Sequence, residues 1–183
     1  MAGEVKLSAV DIKKLWYCAT TEITADLTGT ALYALINDTD TKEVENVHQD
    51  TWTLDEAAPS QNSYRNQLTG SVYRMDAKDM GAVTMNFTLG RYDYVAKADL
   101  MGGTGTATSW KRARGATDIK KALIALTEDD QYVVFPCASI SARESYTDKA
   151  VGIAVVGTML EPENTAILPE YWFDKSVVVA QGS

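Results

Sequence analysis

The sequence predicts a mainly β fold: a β-sandwich or open barrel with one flanking α-helix and extended loops or arms. Three observations carry that expectation. From Ala82 to Leu89, apolar Val83, Met85, Phe87 and Leu89 alternate with Thr84, Asn86 and Thr88, the period of a half-buried strand. From Lys149 to Leu160, Val151, Ile153, Val155 and Met159 fall on one side and Ala150, Gly152, Ala154 and Thr158 on the other, Val156 being the larger exception. Tyr132 to Tyr146 is a third run, of about 15 residues against five or six for an ordinary strand; extended it would reach about 50 Å, so it must bend or project beyond the domain body.

The remaining elements fall around these. Gly90 ends the first strand, and Tyr94, Val95, Ala98 and Leu100 then share one helical face until Met101-Gly102-Gly103 stops the helix. Ala122 to Leu126 suits a helix or a strand. The turn at Glu128-Asp129-Asp130, leading into Tyr132-Val133-Val134-Phe135, favours a strand. Pro136 cannot donate to a ladder and marks an edge or a bulge. Nearer the N-terminus, Leu15 to Thr20 fits a strand after a helical turn capped by Ser8. Leu27, Ala31, Leu32, Leu35 and Ile36 recur at helical spacing, with Gly29 counting against them. Val44 to Leu54 reads as a strand with an irregularity, Trp52 and Leu54 on one face, and Val72 to Met75 as a short strand. Two stretches carry no regular pattern: 55–70, polar throughout, and 102–115, rich in Gly, Thr and Arg. Loops of that length are usually functional or disordered. The small-residue side of 149–160 leaves room for another backbone, from this chain or another.

The chain has 183 residues, 45% hydrophobic and 23% charged, which fits one domain over 1–183 with residues 161–183 as a C-terminal extension. A net charge of -8 and a pI near 4.6 argue against a general nucleic-acid binder and against docking on anionic lipid, since both need clustered cations. Cys18 and Cys137 form no CxxC pair and sit in apolar runs, as buried free thiols do. The opening residues lack the apolar core of a signal peptide, and no run approaches a membrane span of about 18 residues. The expectation is a chain that folds in a reducing cytoplasm.

Catalytic constellations fail one after another. His48 is the one histidine, which excludes a multi-histidine metal site, and no GxSxG accompanies it. Gly102-Gly103-Thr104-Gly105 resembles a phosphate loop, but it lacks the GK[ST] ending and follows a helix instead of opening one. Asp38-Thr39-Asp40 starts like a calcium loop. Lys42, Glu43 and Gln49 then occupy its fifth, sixth and twelfth places. We therefore expect no enzyme and no cofactor or metal. Two features fit contacts between chains. The basic cluster Trp110-Lys111-Arg112-Ala113-Arg114 suits nucleic acid, an acidic partner or salt bridges across a subunit contact. Tyr171-Trp172-Phe173, after Pro169 and before Val177-Val178-Val179, suits packing on its own core or docking on a neighbouring subunit.

The order of the segments also carries a resemblance. TWTLDE is followed by QLTGSVYR, the alternating VTMNFTLG, the helical YDYVAKADLMGG, and the hairpin ALIALTEDDQYVVFPCASISARESYTDKAVGIAVVGTMLEP. From Val44 to Leu160 this resembles the major tail tube proteins of bacteriophages, of the siphophage type and related to the tubes of contractile injection machines. There a strand ends in a small polar turn, and a VFP-like strand and a D-K-x-x-G-I-x-V strand follow. The resemblance implies a β-sandwich or open barrel with a helix on its flank. It implies six copies closing a ring and rings stacking into a hollow tube in the virion tail. Genome and tape-measure protein would pass through that tube without sequence-specific DNA binding, and terminator and initiator proteins would cap it. Asp55, Glu56, Tyr64 and Arg65 would lie on an arm reaching the adjacent ring, Arg112 and Arg114 on a contact loop, and Trp172 and Phe173 on a docking tail. An acidic wall would repel DNA phosphate.

Overall fold

Alternating apolar residues and well-placed turns set out most of the strands. The computed structural model describes residues 8–147 and 149–182. The chain runs through β1 (Ile12–Cys18), α1 (Gly29–Ile36), β2 (Lys42–Glu43), β3 (Thr53–Glu56), β4 (Ser60–Arg65), β5 (Val72–Asp79) and β6 (Val83–Leu89). It continues through α2 (Tyr94–Met101), β7 (Thr104–Gly105), β8 (Trp110–Lys111), β9 (Ile119–Thr127), β10 (Gln131–Thr147), β11 (Ala150–Met159) and β12 (Tyr171–Asp174). The fold is mainly β, a β-sandwich rolled toward an open barrel. The helical turn expected after Ser8 does not form; Ile12 already begins β1.

The main sheet orders its strands β2-β1-β9-β10-β11-β6-β3, all antiparallel, with β12 added to β10. Segment 42–48 draws its two edges together. Its first residues pair with β1, the Val44 N–H donating to the Leu15 carbonyl at 2.8 Å. Its last residues pair with β6, the His48 N–H donating to the Thr88 carbonyl at 2.8 Å and the Gly90 N–H to the Asn46 carbonyl at 3.1 Å. The irregular strand expected over 44–54 is this segment followed by β3. Its irregularity is a turn at His48–Thr51, after which Trp52 and Leu54 both pack against the inner core.

The long run from Gln131 bends and projects. Register with β9 slips between Phe135 and Ala138, so Pro136 sits in a bulge, where its missing donor costs nothing. The extra residue flips the alternation: Val133 and Phe135 face inward before it, Ala138 and Ile140 after it. Two apolar layers result. The inner one holds Leu15, Tyr17, Met85, Phe87, Leu123, Val133, Phe135, Ile153 and Val155. The outer one, on the opposite face of β1, β9 and the first half of β10, holds Trp16, Cys18, Ile124, Tyr132 and Val134 under Leu32, Leu35, Ile167 and Val178. Sheet residues buried on both faces explain the unbroken apolar runs around both cysteines, each a free buried thiol.

Two helices flank the sheet where one was expected. α1, capped by Thr28 Oγ1 accepting from the Ala31 N–H at 3.2 Å, covers the outer layer. α2, capped by Asp93 Oδ1 accepting from the Ala96 N–H at 2.6 Å, covers the inner one through Leu100. The predicted face of α2 is corrected in part: Tyr94 and Val95 are exposed, and Lys97 turns inward instead. On the small side of β11, close approach of a backbone is seen at Gly152, where β6 ends. A side chain at Gly152 would lie 2.7 Å from the Leu89 carbonyl oxygen and 3.3 Å from the His48 ring, so the approaching backbone is this chain's own. No helix among the described residues is long and apolar enough to cross a membrane.

Candidate assembly interface

Residues 53–89 form one long hairpin. At its base β3 pairs with β6, and the Ala57 N–H donates to the Ala82 carbonyl at 2.9 Å. The legs then pinch: a side chain at Gly81 would lie 1.5 Å from the Ala57 carbonyl oxygen, so only glycine fits there. Beyond the pinch, among the described residues, β4 and β5 pair only with each other, with two register slips. Eight residues of β5 at about 3.3 Å each carry the hairpin roughly 26 Å outward. The turn is firmly built. The Asn66 N–H donates to the Ser71 carbonyl at 2.9 Å, the Leu68 N–H to Asn66 Oδ1 at 2.8 Å, and Arg65 Nη1 to the Gly70 carbonyl at 3.0 Å. The stretch expected to lack regular structure is therefore a β-arm. Its polar sequence reflects exposure on both faces, not disorder.

This arm carries apolar side chains that nothing among the described residues covers. Tyr73 and Met75 are 69% and 60% exposed, and Leu68 at the tip is 94% exposed. Tyr73, Met75 and Ala77 alternate onto one face, with Gln61 and Ser63 opposite Ala77 and Met75. The other face holds Tyr64 under the Arg74 guanidinium at 5.6 Å, with Arg74 paired to Asp76 at 2.8 Å. Among the described residues, every hydrogen bond and ion pair made by 61–79 stays within the arm. A two-stranded hairpin alone is marginally stable in water, and exposed apolar surface of this kind marks a contact.

The eight residues singled out from sequence do not form one site. Tyr64 and Arg65 lie on the arm, and Asp55 and Glu56 at its base on the open edge strand β3. Arg112 pairs with Glu144 of its own chain at 3.2 Å and keeps its side chain 60% exposed. Arg114 is exposed on the return limb after β8. Of the two readings of Trp172 and Phe173, the structure shows packing on their own core. They belong to β12, which pairs with β10, and both are partly buried. Tyr171 anchors them, its hydroxyl donating to Asp26 Oδ1 at 2.7 Å and accepting from the Leu168 N–H at 2.8 Å. The C-terminal segment is thus built into the fold and is not a free extension. The 102–115 stretch likewise contains a small β7–β8 hairpin.

Sequence reasoning missed Leu68, Tyr73, Met75 and Met80 on the arm. The alternation of Tyr73, Met75 and Ala77 was the available signal. It also missed Tyr146 and Val151, an exposed cross-strand pair near the projecting end of β10–β11. The outward face of that half of the sheet is small and polar: Ser139, Ser141, Arg143 and Ser145 on β10, then Ala154, Val156 and Thr158 on β11, then Thr84 and Asn86 on β6. Asp38 and Asp40 form a simple turn, Asp38 Oδ1 accepting from the Asp40 N–H at 2.9 Å. No cluster of three or more potential ligands among the described residues could hold a metal ion. The chain matches no protein-family model and no curated protein.

Proposed function

We propose that the chain is a structural subunit that assembles with copies of itself, and specifically that it builds the tube of a phage tail. The observation that carries the assembly reading is the β4–β5 arm, which projects from the body with Tyr73, Met75 and Leu68 uncovered. A second copy that received the arm would bury this surface and remove the hairpin's instability at once. A head-to-tail contact of this kind is heterologous, and it closes into a ring where its rotation permits. The open edge of β3 gives a second element that pairing between copies would complete.

The tube reading rests further on the likeness of residues 44–160 to tail tube proteins. The acidic balance of the chain suits a wall that DNA passes without adhering. In that setting tape-measure and terminator proteins are the expected partners. The test is negative-stain electron microscopy of the concentrated full chain. Annular particles or stacked tubes with an open channel are expected; compact particles without a channel at every concentration would refute the tube.

A further inference from the structure

The segment from Gly102 to Asp118 has little internal structure to hold it down. β7 and β8 contribute two residues each. The turn between them closes through the Thr106 N–H and the Ser109 carbonyl at 2.8 Å, and residues 111–118 are exposed. One cluster fastens the segment. The Lys97 ammonium of α2 lies 4.3 Å from the centre of the Trp110 ring and 5.9 Å from that of Tyr92. It donates to Glu144 Oε1 at 2.5 Å, and its side chain is only 12% exposed. Arg112 donates to Glu144 Oε2 at 3.2 Å and lies 5.1 Å from the same Trp110 ring. Trp110 Nε1 donates to the Gly102 carbonyl at 2.9 Å. Two cations from two elements therefore converge on one carboxylate from a third. Beneath the return limb is a cavity of about 420 Å³, lined in part by Leu100, Met101, Ile119, Ile140 and Ala142. All five belong to the inner core or pack against it.

We propose that Glu144 is the latch of a flap formed by residues 102–118. While its carboxylate is charged, it holds the flap over the mouth of the inner core. When that charge is removed, the enclosed Lys97 ammonium loses its counter-ion and the flap lifts. The reasoning is independent of the assembly reading. The charged groups that face Glu144 are Lys97 on α2 and Arg112 on the flap, Tyr92 before α2 contacting Lys97; its partner on β11 is Ile153. The hydrogen bond from Lys97, with the Lys97 and Arg112 charges, holds the Glu144 carboxyl below the ordinary 4.5. The latch therefore survives mild acid and opens as pH falls through that lowered value. Removing the half-exposed carboxylate strands the enclosed Lys97 charge, whereas removing both does not.

That asymmetry supplies the test: hydrogen exchange by mass spectrometry at neutral pH on the full chain, reading 102–118 against 119–127. Glu144→Gln should speed exchange in 102–118 by about tenfold or more and leave 119–127 unchanged, as a local opening does. The double variant Glu144→Gln with Lys97→Met should return to within about threefold of wild type, because no enclosed charge is stranded: the remaining cation, Arg112, is 60% exposed and stays solvated. Equal opening in the single and double variants would overturn the proposal, as would no opening in the single variant. Loss of protection in 119–127 along with the flap would also overturn it, since the cluster would then hold the whole core and not a local latch.

Discussion

Replacing Tyr73 and Met75 by serine separates the arm's role in assembly from any role in the fold. Both side chains stand largely in water, 69% and 60% exposed, and the arm's recorded polar bonds run within itself. The isolated chain should therefore lose no more than about 0.5 kcal/mol, the usual range for surface substitutions. Assembly should lose much more. If a partner covers about 100 Å² of each side chain, the pair contributes about 5 kcal/mol at 25 cal/mol per Å². Incomplete packing and ordering costs cut that roughly in half. A loss of about 2.5 kcal/mol raises the critical concentration for assembly by nearly two orders of magnitude. Pelleting across a concentration series gives that number, and thermal melting of the dilute protein gives the first. A critical concentration within about threefold of wild type, with an unchanged melt, would show that the arm is not the contact. A melt lowered by several degrees would show instead that the arm packs on its own body.

Other consequences follow from the interior and from the charged turns. Phe87→Ala empties a fully buried site in the inner layer and should cost about 3–5 kcal/mol in urea unfolding; a cost below about 1 kcal/mol would contradict the layer assignment. Burial pushes the Cys18 thiol up to about 11. Little thiolate then exists at neutral pH, and a thiol reagent should modify Cys18 only at the rate of unfolding; rapid modification of the native chain would contradict its position in the outer layer. Asp130 is held below its ordinary 3.8 by hydrogen bonds from Lys13 and Lys175. Asp174 is held below 3.8 chiefly by Ser176. Both contribute stability that is complete above the unfolded value and is lost as pH falls through the lowered folded one. The urea midpoint should therefore be flat from neutral pH to about 5 and decline modestly below about 4, and Asp130→Asn should make that decline shallower.

What could be read from the sequence was what burial had patterned. β6 and β11 each bury one face, so their side chains alternate, and α1 shows its helical spacing because Leu32 and Leu35 press on the outer layer. Pro136 announced its bulge because a strand interior cannot accommodate it without one. The regular structure of the arm was harder to read for the opposite reason. Among the described residues neither of its faces is covered, so no period is imposed on β4, and its composition looks like that of a loop. The pairing of Arg112 with Glu144 is not legible in the sequence, because 32 residues separate them. Trp172 and Phe173 were equally consistent with two surfaces, and only the pairing of β12 with β10 separates them. The apolar face expected of α2 departs from the structure at Tyr94 and Val95, which are exposed, while Lys97 turns inward. Its aliphatic stem lies inward while Trp110 and Glu144 satisfy the charge, an arrangement that a hydrophobic pattern does not register.

Sedimentation equilibrium of the intact chain beside one in which residues 59–80 are replaced by a tight turn asks most directly whether sister copies complete this fold. The account predicts that the intact chain associates as concentration rises while the shortened chain, equally stable, stays monomeric. An intact chain that remains monomeric throughout, or a shortened chain that associates just as well, would contradict it.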